Sequence, residues 1–178
     1  NDEKNILKKY IDDNNLNPVK LINTHCHIDH ILGNKFVANT WGLNLETHQN
    51  DIELLENSSE IARLYGFIDY EKSPSTTQFL NEGDIVEFGN SKLKILYTPG
   101  HAPGHISLYS KEEKFIISGD VLFKSSIGRT DLPGGDFNVL IESIKTKILC
   151  LDDDTVVYCG HGPATTVGYE RVNNPFLK

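Results

Sequence analysis

Three histidines and an aspartate fall within six residues in Thr24-His25-Cys26-His27-Ile28-Asp29-His30, directly after the short apolar run Leu21-Ile22-Asn23. No ordinary packing requirement concentrates imidazoles in this way, so the fold has to gather them around a common point. His25 and His27 are two apart, and an extended backbone puts both rings on one side. Cys26 then points the other way, into the core. Asp29 and His30 follow where the chain turns toward a helix predicted over Gly33 to Trp41, which aims them at a neighbouring point. One histidine pair and one Asp-His pair together make a cradle for two ions. Imidazole and carboxylate donors without thiolate suit Zn²⁺ foremost, with Fe²⁺ and Mn²⁺ as alternatives.

Three further predicted strands end in residues of the same chemistry. Leu93 to Tyr97 leads into Thr98-Pro99-Gly100-His101, Phe115-Ile116-Ile117 into Ser118-Gly119-Asp120, and Val156-Val157-Tyr158 into Cys159-Gly160-His161. Layered α/β proteins gather side chains from distant sequence at strand ends and the loops that follow them. A Gly or Pro beside each candidate permits the sharp exit this needs. Asp120 or His161 alone would carry little weight, but their shared strand-end position raises both. His48 reads as an ordinary hydrogen-bonded residue. His105, at the start of the Ile106 strand, reads as hydrogen-bonding support rather than a ligand.

The rest of the chain supplies the layers. Ile6, Leu7, Tyr10 and Ile11 form one stripe of a helix predicted over Asp2 to Asn15. Val19 to Asn23 and Leu43 to Thr47 read as strands, and Asp51 to Tyr65 as one helix. Beyond Pro74 the pattern turns to hairpins, one around Gly89-Asn90-Ser91 and one around Lys111-Glu112-Glu113. Ser125 to Asp136 reads as a long ordered loop, Phe137 to Leu151 as a helix, Thr155 to Cys159 as a strand and Thr165 to Val172 as a short last helix. Helices alternating with hairpin-linked strands mean a mixed α/β domain spanning 1–178.

Bulk properties exclude some classes of function. With 178 residues and 38% hydrophobic content the chain suits one soluble domain. A formal net charge of -8 argues against binding nucleic acid through general electrostatics. No apolar run is long enough to cross a bilayer. Three cysteines without C-x-x-C spacing fit a reducing compartment, so a cytoplasmic location is expected. The chain has no methionine and begins at Asn1, so some N-terminal sequence is expected to be missing.

The H-x-H-x-D-H pattern from His25 to His30, followed in order by Thr98-Pro99-Gly100-His101, Ser118-Gly119-Asp120 and Gly160-His161-Gly162-Pro163, resembles the metallo-β-lactamase superfamily. Within it the chain looks most like the short bacterial hydroxyacylglutathione hydrolase (glyoxalase II) group. Gly119-Asp120-Val121-Leu122-Phe123, Gly128-Arg129-Thr130-Asp131 and Gly160-His161-Gly162-Pro163-Ala164-Thr165-Thr166 carry that likeness. The resemblance implies that His25, His27 and His101 hold one metal, that Asp29, His30 and His161 hold the other, and that Asp120 bridges both. It implies a hydroxide between the ions as nucleophile toward a thioester such as S-lactoylglutathione, with Asp29 orienting it. Arg129 falls where the family carries a cationic contact to glutathione; a brace to a nearby carboxylate is an equal reading of it. Lys124 and Arg171 rank below Arg129 as substrate contacts.

The implied fold is a four-layer αββα sandwich lacking its first strands, which is expected to leave a sheet edge and apolar surface open. The helical C-terminal domain of full-length glyoxalase II enzymes is expected to be absent here. The nearest rival is an iron-dependent persulfide dioxygenase, which shares the Gly128 to Asp131 region but uses a single Fe²⁺. Lactonase, β-lactamase and an inactive binding scaffold rank lower, the last because no candidate ligand is absent.

Overall fold

A computed structural model describes residues 2–178. The first expected helix forms as α1 (Asp2–Asp13), with i,i+4 pairs Lys8–Asp12 and Lys9–Asp13 along its polar side. Its apolar stripe does not pack: Ile6 is 66% and Tyr10 61% exposed. Periodicity specifies a helix here without specifying a partner for it.

The first sheet is small and parallel. β1 (Leu21–Ile22), β2 (Leu45–Thr47) and β3 (Gln78–Phe79) lie in the order β1-β2-β3. β3 is two residues long and was not anticipated, because so short a segment carries no alternation to read. Against this sheet pack α2 (Ile28–Ile31), α3 (Asn34–Trp41), α4 (Ile52–Glu56) and α5 (Ser58–Leu64). The single helix expected over Asp51 to Tyr65 is thus two, divided at Asn57. Cys26, Ile28, Ile31, Leu45, Leu55 and Ala62 form the buried cluster that joins these helices to the sheet.

The second sheet has six strands: β4 (Ile85–Phe88), β5 (Ser91–Tyr97), β6 (Ile106–Ser110), β7 (Phe115–Gly119), β10 (Val156–Cys159) and β11 (Thr165–Thr166). Their order is β11-β10-β7-β6-β5-β4, antiparallel throughout except for the parallel pair β10 and β7. Both expected hairpins form, and Gly89 takes the positive φ of +55° that the tighter turn requires. The predicted Ser125 to Asp136 loop is instead entered through a small hairpin of β8 (Leu122–Phe123) and β9 (Ser126–Ile127). α6 (Phe137–Ser143) continues into a π-helical turn over Ile144–Ile148, and α7 (Val167–Asn173) ends the chain's regular structure.

Two apolar cores complete the layering. Ile22 and Leu80 meet Val86, Leu93, Ile95, Ile106 and Leu108 between the sheets. Leu140, Ile144, Ile148 and Val167 cover Ile116 and Val157 on the outer face of the second sheet. Each fully buried aliphatic side chain of this kind contributes about 1.5–3 kcal/mol. The sequence of layers is helix, sheet, sheet, helix, as expected of an αββα sandwich. Ile117 and Tyr158, paired across β7 and β10, remain 38% and 50% exposed. No helix among the described residues is long and apolar enough to cross a membrane.

One irregularity sets up the site. β7 carries an extra residue against β10, with Tyr158 opposite Ile117 but Cys159 opposite Gly119. Bulges re-aim the side chains that follow them. Here Gly160 N donates to Gly119 O at 2.8 Å, so Asp120 and His161 leave the sheet side by side.

Candidate metal centre

The four strand ends converge at one edge of the sandwich. Asn23 Nδ2 donates to His30 O at 3.0 Å, and Asn34 Nδ2 donates to Asn23 Oδ1 at 2.6 Å. These bonds hold α2 against the end of β1 and decide where Asp29 and His30 face. The His101 loop is closed by Thr98 N donating to His105 O at 2.9 Å, and it is joined to the first segment by Ile106 N donating to Thr24 O at 2.8 Å.

All seven residues expected to be ligands are brought together. Donor atoms within 4.8 Å of one another come from His25, His27 and His101, from His25, His30 and Asp120, and from Asp29, His30 and His161. Asp120 Oδ2 lies 3.6 Å from His101 Nε2 and 3.4 Å from His161 Nε2, and Oδ1 lies 3.5 Å from His30 Nε2. His27 Nδ1 and His101 Nε2 face each other at 2.9 Å. His101 Nδ1 donates to Arg129 O at 2.7 Å, so its Nε2 is the bare nitrogen. A hydrogen bond to a backbone carbonyl fixes the tautomer in the same way for many metal-bound imidazoles.

Buried polar atoms normally find a partner. Among the described residues, His25 Nε2, His27 Nε2, His30 Nε2 and Asp120 Oδ1 are buried with none. Four orphaned atoms in one small volume, all of metal-ligating types, have no account as a packing core. The donor set fits a divalent cation.

The electrostatics agree with that fit. Burial pushes His25 well below the usual imidazole range, with His105 the next contributor, and burial followed by His101 takes His27 down to about 4. Burial also lowers His101. For His30, burial acts downward but contact with Asp120 and the charge of Asp29 outweigh it, so the group is raised. Asp120 is held below the usual carboxylate range, since His30, His101 and His161 together overcome its burial. Asp120 kept charged and His25, His27 and His101 kept neutral are the states that bind metal, while His30 would release its proton on binding.

The remaining candidates sort cleanly. His105 is fully buried, accepts from Asp120 N at 3.1 Å through Nε2, and has Nδ1 3.0 Å from Thr98 Oγ1. Both nitrogens are used, so it supports Asp120 and does not ligate. His48 stacks on Tyr97 and accepts from Asn50 N, an ordinary structural role. Arg129 places both Nε and Nη2 on Asp131, at 2.7 and 2.8 Å. Lys124 lies over the Tyr169 ring, and Arg171 braces Asp153 and the Leu149 and Leu151 carbonyls. Three contributors carry no sequence signal: the Arg129 carbonyl, the Thr98 hydroxyl, and the carboxylate of Asp51, which accepts from Cys26 N and Gly104 N. No local pattern signals a main-chain carbonyl or an aspartate at a helix start as part of a site.

Glycine makes the crowding possible. A Cβ on Gly160 would collide with Asp120 Oδ1, and one on Gly119, where φ is +51°, would strike His105 Nε2 at 2.6 Å. The centre opens into a cavity of about 1140 Å³. Leu54, Ile61, Ile127 and Leu132 form apolar wall, and Arg129 is the lining guanidinium.

Residues 1–161 match the model of the metallo-β-lactamase superfamily, and the chain belongs to that superfamily. It is 40% identical over 176 residues to hydroxyacylglutathione hydrolase GloC of Haemophilus influenzae, covering 96% of this chain and 81% of that one. Its fold matches a crystal structure of BLEG-1 B3 metallo-β-lactamase with a TM-score of 0.89 at 36% identity, over 98% of this chain and 84% of the other. It matches TTHA1623 in a di-iron-bound form with a TM-score of 0.88 at 37% identity, over 96% and 83%. Membership implies a metallohydrolase using divalent ions, in line with the donor set.

Proposed function

We propose that this chain is a binuclear metallohydrolase that cleaves an acyl thioester, with S-lactoylglutathione the first substrate to test. The orphaned buried donor atoms around Asp120 carry the reading. His25, His27 and His101 are assigned to one ion and Asp29, His30 and His161 to the other. Asp120 is assigned to both, because its carboxylate approaches nitrogens of each set. Zn²⁺ is the foremost candidate; Fe²⁺ gains support from the di-iron form of TTHA1623, and Mn²⁺ stays open. The glutathione relationship of GloC supports the thioester.

Ions held there would bring the pKa of water into the neutral range and polarise a carbonyl. The chain's own residues do the positioning. Asp29, half-exposed on the cavity side, is placed to accept a hydrogen bond from the attacking water and orient it. The apolar wall holds the acyl group and excludes bulk water. A thiol of pKa ~8.5 leaves as thiolate with little help, so no separate general acid is called for. Arg129 reaches a substrate carboxylate only by exchanging Asp131 for it. We assign the protein one domain over 1–178, a small-molecule substrate, no nucleic-acid or membrane partner, and a cytoplasmic location consistent with three free cysteines.

Metal analysis combined with thioester and persulfide assays tests this. Two divalent ions per chain with thioester turnover are expected. One iron per chain with oxygen uptake on a persulfide would overturn the reading in favour of a dioxygenase. Cys26 gives a second check. Its thiol is buried beside Thr47, and burial and Asp51 push it up to about 12. Cys26→Ala should therefore leave kcat/KM within about threefold of the parent, ~0.6 kcal/mol. A far larger loss would put the thiol in the chemistry.

A further inference from the structure

We infer that Asp51, outside the proposed ligand set, is the positioning residue that fixes the spacing between the two loops carrying His25, His27 and His101. The inference rests on the assignment of those three histidines to one ion.

Asp51 closes a 3-10 turn over Gln49–Asp51 and stands at the N-cap of α4. An aspartate there ordinarily spends an oxygen on the amides of its own helix. Asp51 makes no such bond. Its side chain turns inward and is fully buried. Oδ2 accepts from Cys26 N at 2.7 Å, and Oδ1 accepts from Gly104 N at 2.5 Å. Cys26 sits between His25 and His27, and Gly104 sits between His101 and His105. One oxygen therefore takes each loop.

The chemistry of the position is specific. A carboxylate offers two acceptor oxygens and no donor, whereas asparagine would turn an NH₂ toward one of the two amides. Among the described residues no salt bridge involves Asp51, and the two amides that bond it offset part of the desolvation cost of its buried carboxylate. Gly104 is matched to it: a Cβ there would meet Asp51 N at 2.5 Å and Cγ at 2.8 Å. On the opposite flank, the bond from Ile106 N to Thr24 O ties the same two loops. The histidines are thus held from both sides, and Asp51 is the side-chain half of the clamp.

The test compares Asp51→Asn with the parent by chelator competition, by the visible spectrum of the Co²⁺ form and by metal-free Tm. Outer partners of metal ligands are typically worth 10–100-fold in metal affinity, and a loss of about that size is expected with an altered Co²⁺ spectrum. Ile148→Val, in the outer core and off the cavity, serves as a control expected to cost about 0.5–1.5 kcal/mol of stability. It should leave metal affinity unchanged. Affinity of Asp51→Asn within about threefold of the parent, ~0.6 kcal/mol, would overturn the inference. So would an equal loss of metal in Ile148→Val at equal Tm. If Asp51→Asn does not fold, Gly104→Ala probes the same tie from the other loop, with the same outcomes. His101→Ala run alongside separates the two levels. Unchanged metal binding in it rejects the ligand assignment, whereas loss in it beside an unaffected Asp51→Asn rejects only the role of Asp51.

Discussion

Asp120→Ala is expected to lower kcat/KM for the thioester by about 10³-fold and to weaken metal binding at both positions. The expectation follows from the contacts of its two oxygens. Oδ1 approaches His30 of one donor set, and Oδ2 approaches His101 of the other as well as His161. Removing the carboxylate takes one negative charge from the centre of the seven proposed ligands and leaves neighbouring imidazoles facing one another. Metal activation supplies several kcal/mol to such reactions, and about 1.4 kcal/mol corresponds to each tenfold in rate. Metal content and turnover measured on the same preparation check the result. Parental turnover with two ions bound would refute the bridging assignment.

His105→Ala should weaken metal binding by about 10–100-fold, as loss of an outer partner does, although His105 is not assigned to any ion. The side chain is fully buried, stacks on His25 at 4.9 Å between ring centroids, and receives the Asp120 amide. Its removal leaves that amide without an acceptor in a closed space, at a cost of about 1–3 kcal/mol, and opens a cavity behind His25. Both metal affinity and Tm should fall. His105→Gln, whose side-chain oxygen can accept from Asp120 N, should recover part of the affinity. Equal loss in the two variants would mean that the ring's packing matters and its acceptor nitrogen does not.

The centre was more legible in the sequence than the frame that holds it. His25, His27, Asp29 and His30 are concentrated in one segment, and His101, Asp120 and His161 each follow an apolar strand and stand beside glycine. These are local signals, and the structure gathers all seven residues. Boundaries were less readable where a tertiary contact decides them. The break at Asn57 falls inside a continuous helical pattern, and β3 is too short to show alternation. The α1 stripe has helical period, yet Ile6 and Tyr10 stay in solvent, because periodicity says nothing about what covers a face. Arg129 shows the same limit at side-chain scale. Its guanidinium is spent on Asp131 while its carbonyl orients His101. Asp51 read only as the start of a helix.

The two halves of the ligand set differ in their access to water. His25 is fully buried and His101 nearly so, whereas the side chains of Asp29 and His161 are 48% and 58% exposed. If the two sets hold ions as proposed, the outer one would meet bulk solvent directly through Asp29 and His161, whereas the inner one would be reached through the cavity that His27 and His101 line.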